Sequence, residues 1–224
     1  MDLSGIDTLG LERVLRRGSG EILAERDGAL LLRDRISGAY MLSCDDASVG
    51  MPLLEQKLGP DCALLMVSDY ALGTAVFERF GFSEKLECRQ VAYYGQKPPV
   101  PGALTVRTAD EGDLAMLEEH YRLISPEELE RVVARRSVLI GYEQGRAVGF
   151  IGEHLEGSMG MLCVFPACRR RGYGAALQAH LMARTMEAGF IPFGQVEKDN
   201  LVSLALQRRL GMTISDDLIV WMWK

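Results

Sequence analysis

Hydrophobic positions in the second half of the chain change their period several times, and each change predicts an element. Residues 103–107 alternate like a strand, and the apolar positions Leu114, Leu117 and Tyr121 then recur at helical spacing. Ser125, a capping residue followed by proline, opens a second helix that is expected to reach about residue 136. The remaining predicted elements are strands at 137–142, 147–154 and 159–165, a helix at 172–189, a strand at 191–196, a helix at 201–210 and a strand at 218–223. This order predicts an α/β fold with a mixed central sheet.

A proline-rich segment interrupts the periodic pattern near the middle of the chain. Residues 95–102 contain three prolines and two glycines, which favour an extended, non-helical path. We predict a domain boundary there, with domains at 1–97 and 98–224.

The two halves also share a layout. Residues 70–82 and 200–212 both place a glycine eleven residues after the segment begins, Gly81 and Gly211, and follow it with a large apolar residue. The turn at 26–28 likewise resembles the turn at 144–146, since each precedes an apolar run. The pattern predicts two copies of one fold, the first of them eroded.

Composition narrows the class of protein. The chain has 224 residues, 48% of them hydrophobic and 25% charged, which is typical of a globular protein. A net charge of -6 argues against nucleic-acid binding, and charged residues interrupt every candidate membrane span. Its five cysteines form no CxxC pair and its three histidines lie far apart, so we expect reduced thiols, no metal and a cytoplasmic location.

Residues 164–174 carry the most informative motif. A predicted strand leads through Arg169, Arg170 and Arg171 into a glycine-containing helix start, where free N–H groups and positive charge can bind a pyrophosphate. A plain glycine turn with a solvated basic cluster is the alternative interpretation. The chain has no GxxxxGK[ST] loop, and Leu177 stands where a GxGxxG fingerprint needs its third glycine, so nucleotide hydrolysis and dinucleotide binding fit poorly.

Two motifs together resemble those of a known family. The series Leu162, Val164, Pro166, Arg169, Gly172 and Gly174 resembles the acyl-CoA signature of the GCN5-related N-acetyltransferases (GNAT), and Asn200 with Gly211 and Met212 resembles their second motif. The resemblance covers residues 103–224. It implies a sheet of the acyl-CoA N-acyltransferase type and, with the repeated layout, two tandem GNAT-like domains of which the N-terminal one is degenerate and non-catalytic.

The resemblance implies acetyl-CoA as the co-substrate. Main-chain groups at Leu162 and Val164 would bind the pantetheine arm like an added strand, and loop amides would hold the pyrophosphate. Asn200 would bind the cofactor arm, although it can equally be an ordinary helix cap. The cofactor-binding candidates are Leu162, Cys163, Val164, Arg169, Arg170, Arg171, Gly172, Tyr173, Gly174, Ala175 and Asn200.

The chain departs from the family at two catalytic positions. Gln207 stands where many members carry a tyrosine that protonates the leaving thiolate; an amide donates a hydrogen bond but no proton. Ser158 stands where some relatives carry a basic glutamate, which leaves Glu153 or His154 as candidate bases. Neighbouring strand residues face opposite sides, so at most one of these two faces the cleft. The alternative roles are a surface carboxylate and a half-buried histidine.

The resemblance suggests direct attack of an amine on the thioester, with a main-chain N–H of the fourth strand stabilising the oxyanion. The expected function is acetyl transfer to a primary amine of a small molecule or amino-acid-like substrate, by a monomer or homodimer that binds neither nucleic acid nor membrane. The alternative is a catalytically silent acyl-CoA-binding or regulatory protein. In the first half, Cys44-Asp45-Asp46 replaces the pyrophosphate motif, and Phe77 replaces the tyrosine.

Overall fold

The structure is a computed structural model that describes residues 2–26, 28–44, 46–99 and 104–224. Its helices are α1 (Leu9–Arg16), α2 (Ala47–Lys57), α3 (Tyr70–Phe80), α4 (Leu114–His120), α5 (Pro126–Ala134), α6 (Tyr173–Glu187) and α7 (Leu201–Arg209). Its strands are β1 (Gly20–Arg26), β2 (Ala29–Asp34), β3 (Tyr40–Cys44), β4 (Leu64–Val67), β5 (Glu84–Ala92), β6 (Thr105–Thr108), β7 (Val138–Glu143), β8 (Arg146–Glu153), β9 (Met159–Val164), β10 (Phe193–Glu197) and β11 (Thr213–Trp223). The predicted α/β fold with a mixed sheet is confirmed.

The chain forms two compact units that interleave in sequence. The first contains Met1–Ala92, Gln195–Gln207 and Thr213–Lys224, and the second contains Tyr93–Gly194 and Arg208–Met212. The domain boundary at residue 97/98 stays a prediction, and 100–103 lie outside the described residues. Asp27, in the predicted turn at 26–28, and Asp45, in the segment that replaces the pyrophosphate motif, also lie outside them.

In the second unit, β6, β7, β8 and β9 are antiparallel neighbours, and β9 runs parallel to β10, which it meets at Met159 and Gly194. A parallel neighbour requires a crossover, which α6 supplies. The helix packs closely on the sheet because Gly141 of β7 has no side chain; a Cβ there would lie 2.8 Å from Leu177. Leu177 therefore belongs to the core.

Local capping explains where the helices of this unit begin. Asp110 and Asp113 form a reciprocal capping box around a short 3-10 turn that leads into α4. Ser125 accepts a hydrogen bond from the Glu128 amide at 3.2 Å, with Pro126 at the first position of α5. The predicted second helix is thus confirmed at its start and ends two residues earlier than expected, at Ala134.

The N-terminal half of the chain has the same order of elements as the C-terminal half. A helix, three antiparallel strands, a crossover helix, a parallel strand, a helix and a final strand appear as α1 to β5 and again as α5 to β11. Gly81 and Gly211, the matching glycines, both adopt a left-handed conformation at the end of their helices, with φ of 67° and 75°. The prediction of two copies of one fold is confirmed.

The last strand completes the sheet of the first unit. β11 is antiparallel to both β4 and β5, and Val220 pairs with Val67 on one side and Glu87 on the other. This strand begins five residues earlier than the predicted 218–223. It continues through an irregularity between Ile214 and Leu218, where the Ser215 hydroxyl accepts a hydrogen bond from the Gln90 amide at 3.0 Å.

We expect Gly73→Ala to destabilise the protein. A Cβ at Gly73, inside α3, would lie 2.7 Å from Val220 of β11, and a β-branched strand residue has little freedom to move. Overpacking typically costs about 1–3 kcal/mol, which outweighs the gain of about 0.5–1 kcal/mol from replacing a helical glycine. Urea unfolding measures the difference.

Gly10→Ala is the matched control, because a Cβ at this helical glycine of α1 meets only Met66, at an ordinary 3.8 Å. It should stabilise the protein by about 0.5–1 kcal/mol. Equal effects of the two substitutions would contradict the proposed close approach of α3 and β11.

Candidate functional site

The segment between β9 and α6 turns sharply and is open to solvent. Strand β9 ends at Val164, a 3-10 turn spans Pro166–Cys168, and the four residues from Arg169 to Gly172 are all exposed. Arg170 and Gly172 have φ of 66° and 86°, in the left-handed region that glycine adopts most easily. Nothing would meet a Cβ at Gly172, so the requirement for glycine is conformational rather than steric.

The helix that follows begins without a side-chain cap. Gly172 is the N-cap of α6 and carries no capping group, and the first helical hydrogen bond runs from the Ala176 amide to the Gly172 carbonyl at 3.1 Å. The amides of Tyr173, Gly174 and Ala175 precede that bond in a 15-residue helix. These N–H groups and the positive end of the helix dipole can together bind an anion such as a pyrophosphate.

The arginines before this helix have local partners. Arg169 donates from Nε to the Val164 carbonyl at 3.2 Å, and Arg171 pairs with Glu143 at 2.8 Å. The Arg171 guanidinium also lies 5.1 Å from the centre of the Tyr173 ring. Exposed pairs of this kind contribute about 0–1 kcal/mol, so an anionic ligand can displace them at little cost.

Strand β9 contains a bulge. Phe150 pairs with Cys163 and Gly152 with Gly160, which leaves Met161 and Leu162 opposite a single residue of β8. Met161 has φ of 52°, unusual for a residue with a side chain. Because the Phe165 amide bonds the Val148 carbonyl of β8, alternation directs the main-chain groups of Leu162 and Val164 away from β8.

The two cysteines near this corner have the properties of packing residues. Burial raises the pKa of the Cys163 thiol, whose Sγ donates to the His120 carbonyl at 3.7 Å. Cys168 is 7% exposed. A thiol that ionises less readily than a free cysteine is a poor nucleophile at neutral pH.

Glu153 and His154 lie at the other end of the β8–β9 hairpin, on the order of 15 Å along β9 from the arginine loop. Glu153 accepts a hydrogen bond from the Thr185 hydroxyl of α6 at 2.8 Å, so its carboxylate is directed toward that helix. His154 lies in the turn after β8, with Nδ1 3.9 Å from the Glu128 carboxylate of α5. Gly160 gives the imidazole room beside the β9 backbone.

Carboxylates dominate the surroundings of His154. Burial lowers the pKa of His154, but Glu128 and Glu156 favour the charged ring more strongly, and the net effect raises the pKa above its ordinary value. Glu156 is itself buried and accepts a hydrogen bond from the Ser158 hydroxyl. Ser158 thus donates a hydrogen bond to one of the two carboxylates that act on His154.

Asn200 and Gln207 both belong to the first unit. The Asn200 carbonyl oxygen accepts a hydrogen bond from the Ser203 amide at 3.0 Å, so its role as a cap of α7 is observed. Gln207, near the end of that helix, is only 5% exposed.

One residue of the second unit was missed as a site residue in the sequence. Tyr121 lies just after the last residue of α4, and its ring packs edge to face against Phe150 of β8, with 6.4 Å between the ring centres. Burial raises the pKa of Tyr121 to about 12. No sequence signal announced the left-handed conformation of Met161 in β9.

Two negative findings apply to the described part of the chain. It contains no group of three or more His, Cys, Asp or Glu side chains placed to hold a metal ion. None of its helices has the length and apolar character needed to cross a bilayer.

Comparison with known proteins agrees with this geometry. Residues 105–212 match the model of the acetyltransferase (GNAT) family. No curated protein is significantly similar in sequence. Similar solved structures include a Drosophila protein (TM-score 0.70, 17% identity, covering 99% of this chain and 91% of that one) and a GCN5-related N-acetyltransferase-like protein from Streptococcus suis (0.58, 15%, 95% and 93%). A tandem GNAT protein from the clavulanic acid biosynthesis pathway is a more distant match (0.50, 13%, 96% and 87%).

The family match and the fold support acyl-CoA-dependent acetyl transfer in general. Residues 105–212 match the GNAT acetyltransferase family, and the GNAT-like fold extends over nearly the whole length of the chain.

We expect Glu128→Gln to lower the pKa of His154, because it removes the negative charge 3.9 Å from Nδ1 while keeping the side-chain shape. NMR titration of the His154 ring measures the change. Since the folded-state pKa is raised, the stability contributed by this charge is present below about pH 6.5 and is lost as pH rises through the folded value. In Glu128→Gln that part of the pH dependence should shrink.

Glu130→Gln, an exposed glutamate of the same helix, is the control. An identical titration of His154 in wild type and Glu128→Gln would show that the carboxylate does not act on the ring.

Proposed function

We propose that this protein transfers an acetyl group from acetyl-CoA to a primary amine of a small molecule or amino-acid-like substrate. The amine nitrogen bonds to the thioester carbon, the carbon–sulfur bond breaks, and its electron pair leaves with the CoA sulfur. The ammonium proton passes to a base. Such direct transfer needs no covalent enzyme intermediate, which accords with the poorly ionisable Cys163 thiol.

The observation that carries the proposal is the uncapped start of α6 beside three arginines. The amides from Tyr173 to Ala175 supply donors for a pyrophosphate, and Arg169, Arg170 and Arg171 supply positive charge. In the same proposal, the main chain from Leu162 to Val164 binds the pantetheine arm, because it is directed away from β8. Asn200 remains a proposed contact to the cofactor, with its capping bond to Ser203 retained.

His154 is the better supported of the two candidate bases. Glu153 already accepts a hydrogen bond from Thr185. His154 lies among carboxylates, whose negative charge favours the binding of a cationic amine substrate. A histidine with a raised pKa is an effective base only once deprotonated, so transfer should become faster as pH rises through that pKa. Gln207 would donate a hydrogen bond to the leaving sulfur without protonating it.

The N-terminal domain is proposed to be non-catalytic. Where α6 has a bare glycine cap, α2 has Asp46, whose carboxylate accepts a hydrogen bond from the Ser48 amide at 2.8 Å. The side chain takes one of the donors that a pyrophosphate would use, and its charge repels a polyanion. We further propose a cytoplasmic location and a monomeric or homodimeric state.

Arg169→Glu should weaken binding of CoA about 10- to 100-fold, the usual range for losing a charge-assisted hydrogen bond. Isothermal titration calorimetry with CoA measures the affinity. The control is Arg26→Glu, an exposed arginine of β1 in the first unit, which should leave the affinity unchanged. Unaltered affinity in a folded Arg169→Glu protein would contradict the pyrophosphate site.

A thiol-release assay with acetyl-CoA over a panel of primary amines tests the reaction itself. We expect release that depends on an amine and increases as the pH rises through the raised pKa of His154. Tight binding of CoA without turnover on any amine would overturn acetyl transfer and favour a silent acyl-CoA-binding or regulatory protein.

A further inference from the structure

A cavity of about 530 Å³ lies in the first unit, where β3 and β4 end. Its lining includes Ser43 and Cys44, the last residues of β3, and Ser68 and Asp69, which follow β4. These two strands are parallel neighbours, and ligands of open α/β sheets commonly bind where the carboxyl ends of such strands meet. A volume of this size suits a small molecule better than a bare ion.

The N-terminal segment, residues 2–8, forms another part of the cavity lining. The Ile6 carbonyl in this segment accepts a hydrogen bond from Nε2 of Gln90 at 2.7 Å, and Gln90 is fully buried in β5. The Thr8 hydroxyl donates to the Gly5 carbonyl at 2.9 Å. Because these bonds fix the segment, the cavity is formed without a ligand.

The charged side chains around the cavity are all negative. Asp2, Asp7, Asp69 and Asp217 line it, and the described lining residues include no lysine, arginine or histidine. Asp69 is also the N-cap of α3, where its Oδ1 accepts a hydrogen bond from the Leu72 amide at 2.7 Å. Four carboxylates around one cavity produce a negative potential that attracts a cation.

Asp7 is the carboxylate whose position points most directly to a ligand. Its Oδ1 atom is buried and has no hydrogen-bond partner in the described part of the chain. Buried polar atoms are usually hydrogen-bonded, because leaving one unpaired is unfavourable. Burial, and secondly the negative charge of Asp217, raises the pKa of Asp7. A positively charged N–H donor in the cavity would satisfy this oxygen and offset both effects.

The two copies of the fold differ in charge at corresponding places. Strands β3 and β4 correspond to β9 and β10, since each pair is parallel and is joined by a crossover helix. Three arginines follow β9, whereas aspartates line the cavity at the ends of β3 and β4. The cavity therefore repels a polyanion such as CoA and attracts a ligand of the opposite charge.

We propose that this cavity binds a small organic cation, whose ammonium group donates a hydrogen bond to Oδ1 of Asp7. The chemical class is a primary amine on a short carbon chain, because an ammonium group offers three N–H donors and the cavity has room for the chain. Asp69 and Asp217 add electrostatic attraction. The site is independent of acetyl transfer, since every residue that carries it belongs to the first unit.

Titration of the whole chain with 1,4-diaminobutane, followed by heteronuclear NMR, tests the proposal. The amide signals of Asp7, Ser43 and Ser68 should shift and saturate, and 1,4-butanediol, which has the same length but no charge, should not shift them. Asp7→Asn should weaken binding of the diamine about 10- to 100-fold, the usual range for losing a charge-assisted hydrogen bond. This variant should fold at least as stably as wild type, because it removes an unpaired buried charge.

Asp61→Asn is the matched control. Asp61 is an exposed aspartate that pairs with Arg33 at 3.2 Å, and it precedes β4, at the opposite end of that strand from the cavity. Its variant should bind the diamine as wild type does. The cation site would be overturned by equal binding of the diol, by undiminished affinity in Asp7→Asn, or by a lack of saturable shifts in the first unit. Shifts confined to the second unit would overturn it as well, since the diamine would then bind elsewhere.

Discussion

The unpartnered amides at the start of α6 impose the strongest constraint on the second half of this protein. The partial positive charge of this 15-residue helix lies on the N–H groups of its first turn, and Gly172 supplies no side chain to accept hydrogen bonds from them. Arg170 and Gly172, both exposed and left-handed, directly precede those groups. An anion is the natural partner of such a surface, and the neighbouring arginines increase its attraction for one.

The repeated architecture provides an internal comparison for that constraint. Strand β3 leads into α2 as β9 leads into α6, and both pairs continue into a parallel strand. In the first copy Asp46 satisfies the helix start with a carboxylate, whereas in the second copy glycine leaves it open. The choice of capping residue thus separates the two copies: an aspartate stabilises the start of α2, whereas a glycine leaves the start of α6 able to bind an anion.

At the N-terminal end of β9, electrostatic interactions between carboxylates and a histidine set the properties of the side chains. Glu128 and Glu156 surround His154 and favour its protonated form, and the same negative field favours a cationic acceptor near this turn. The pKa of His154 is therefore raised above that of a free histidine.

The sequence by itself determined the order of elements, the repeat, the family and the arginine loop. These depend on local properties: periodicity, caps such as Ser125, and the glycines that end or begin helices. Only the tertiary structure decided that β11 completes the sheet of the first unit, that Glu153 turns toward Thr185, and that Met161 forms a left-handed bulge in β9. Those outcomes join residues far apart along the chain, and a strained backbone such as that of Met161 is set by its neighbours in space rather than by its own residue type.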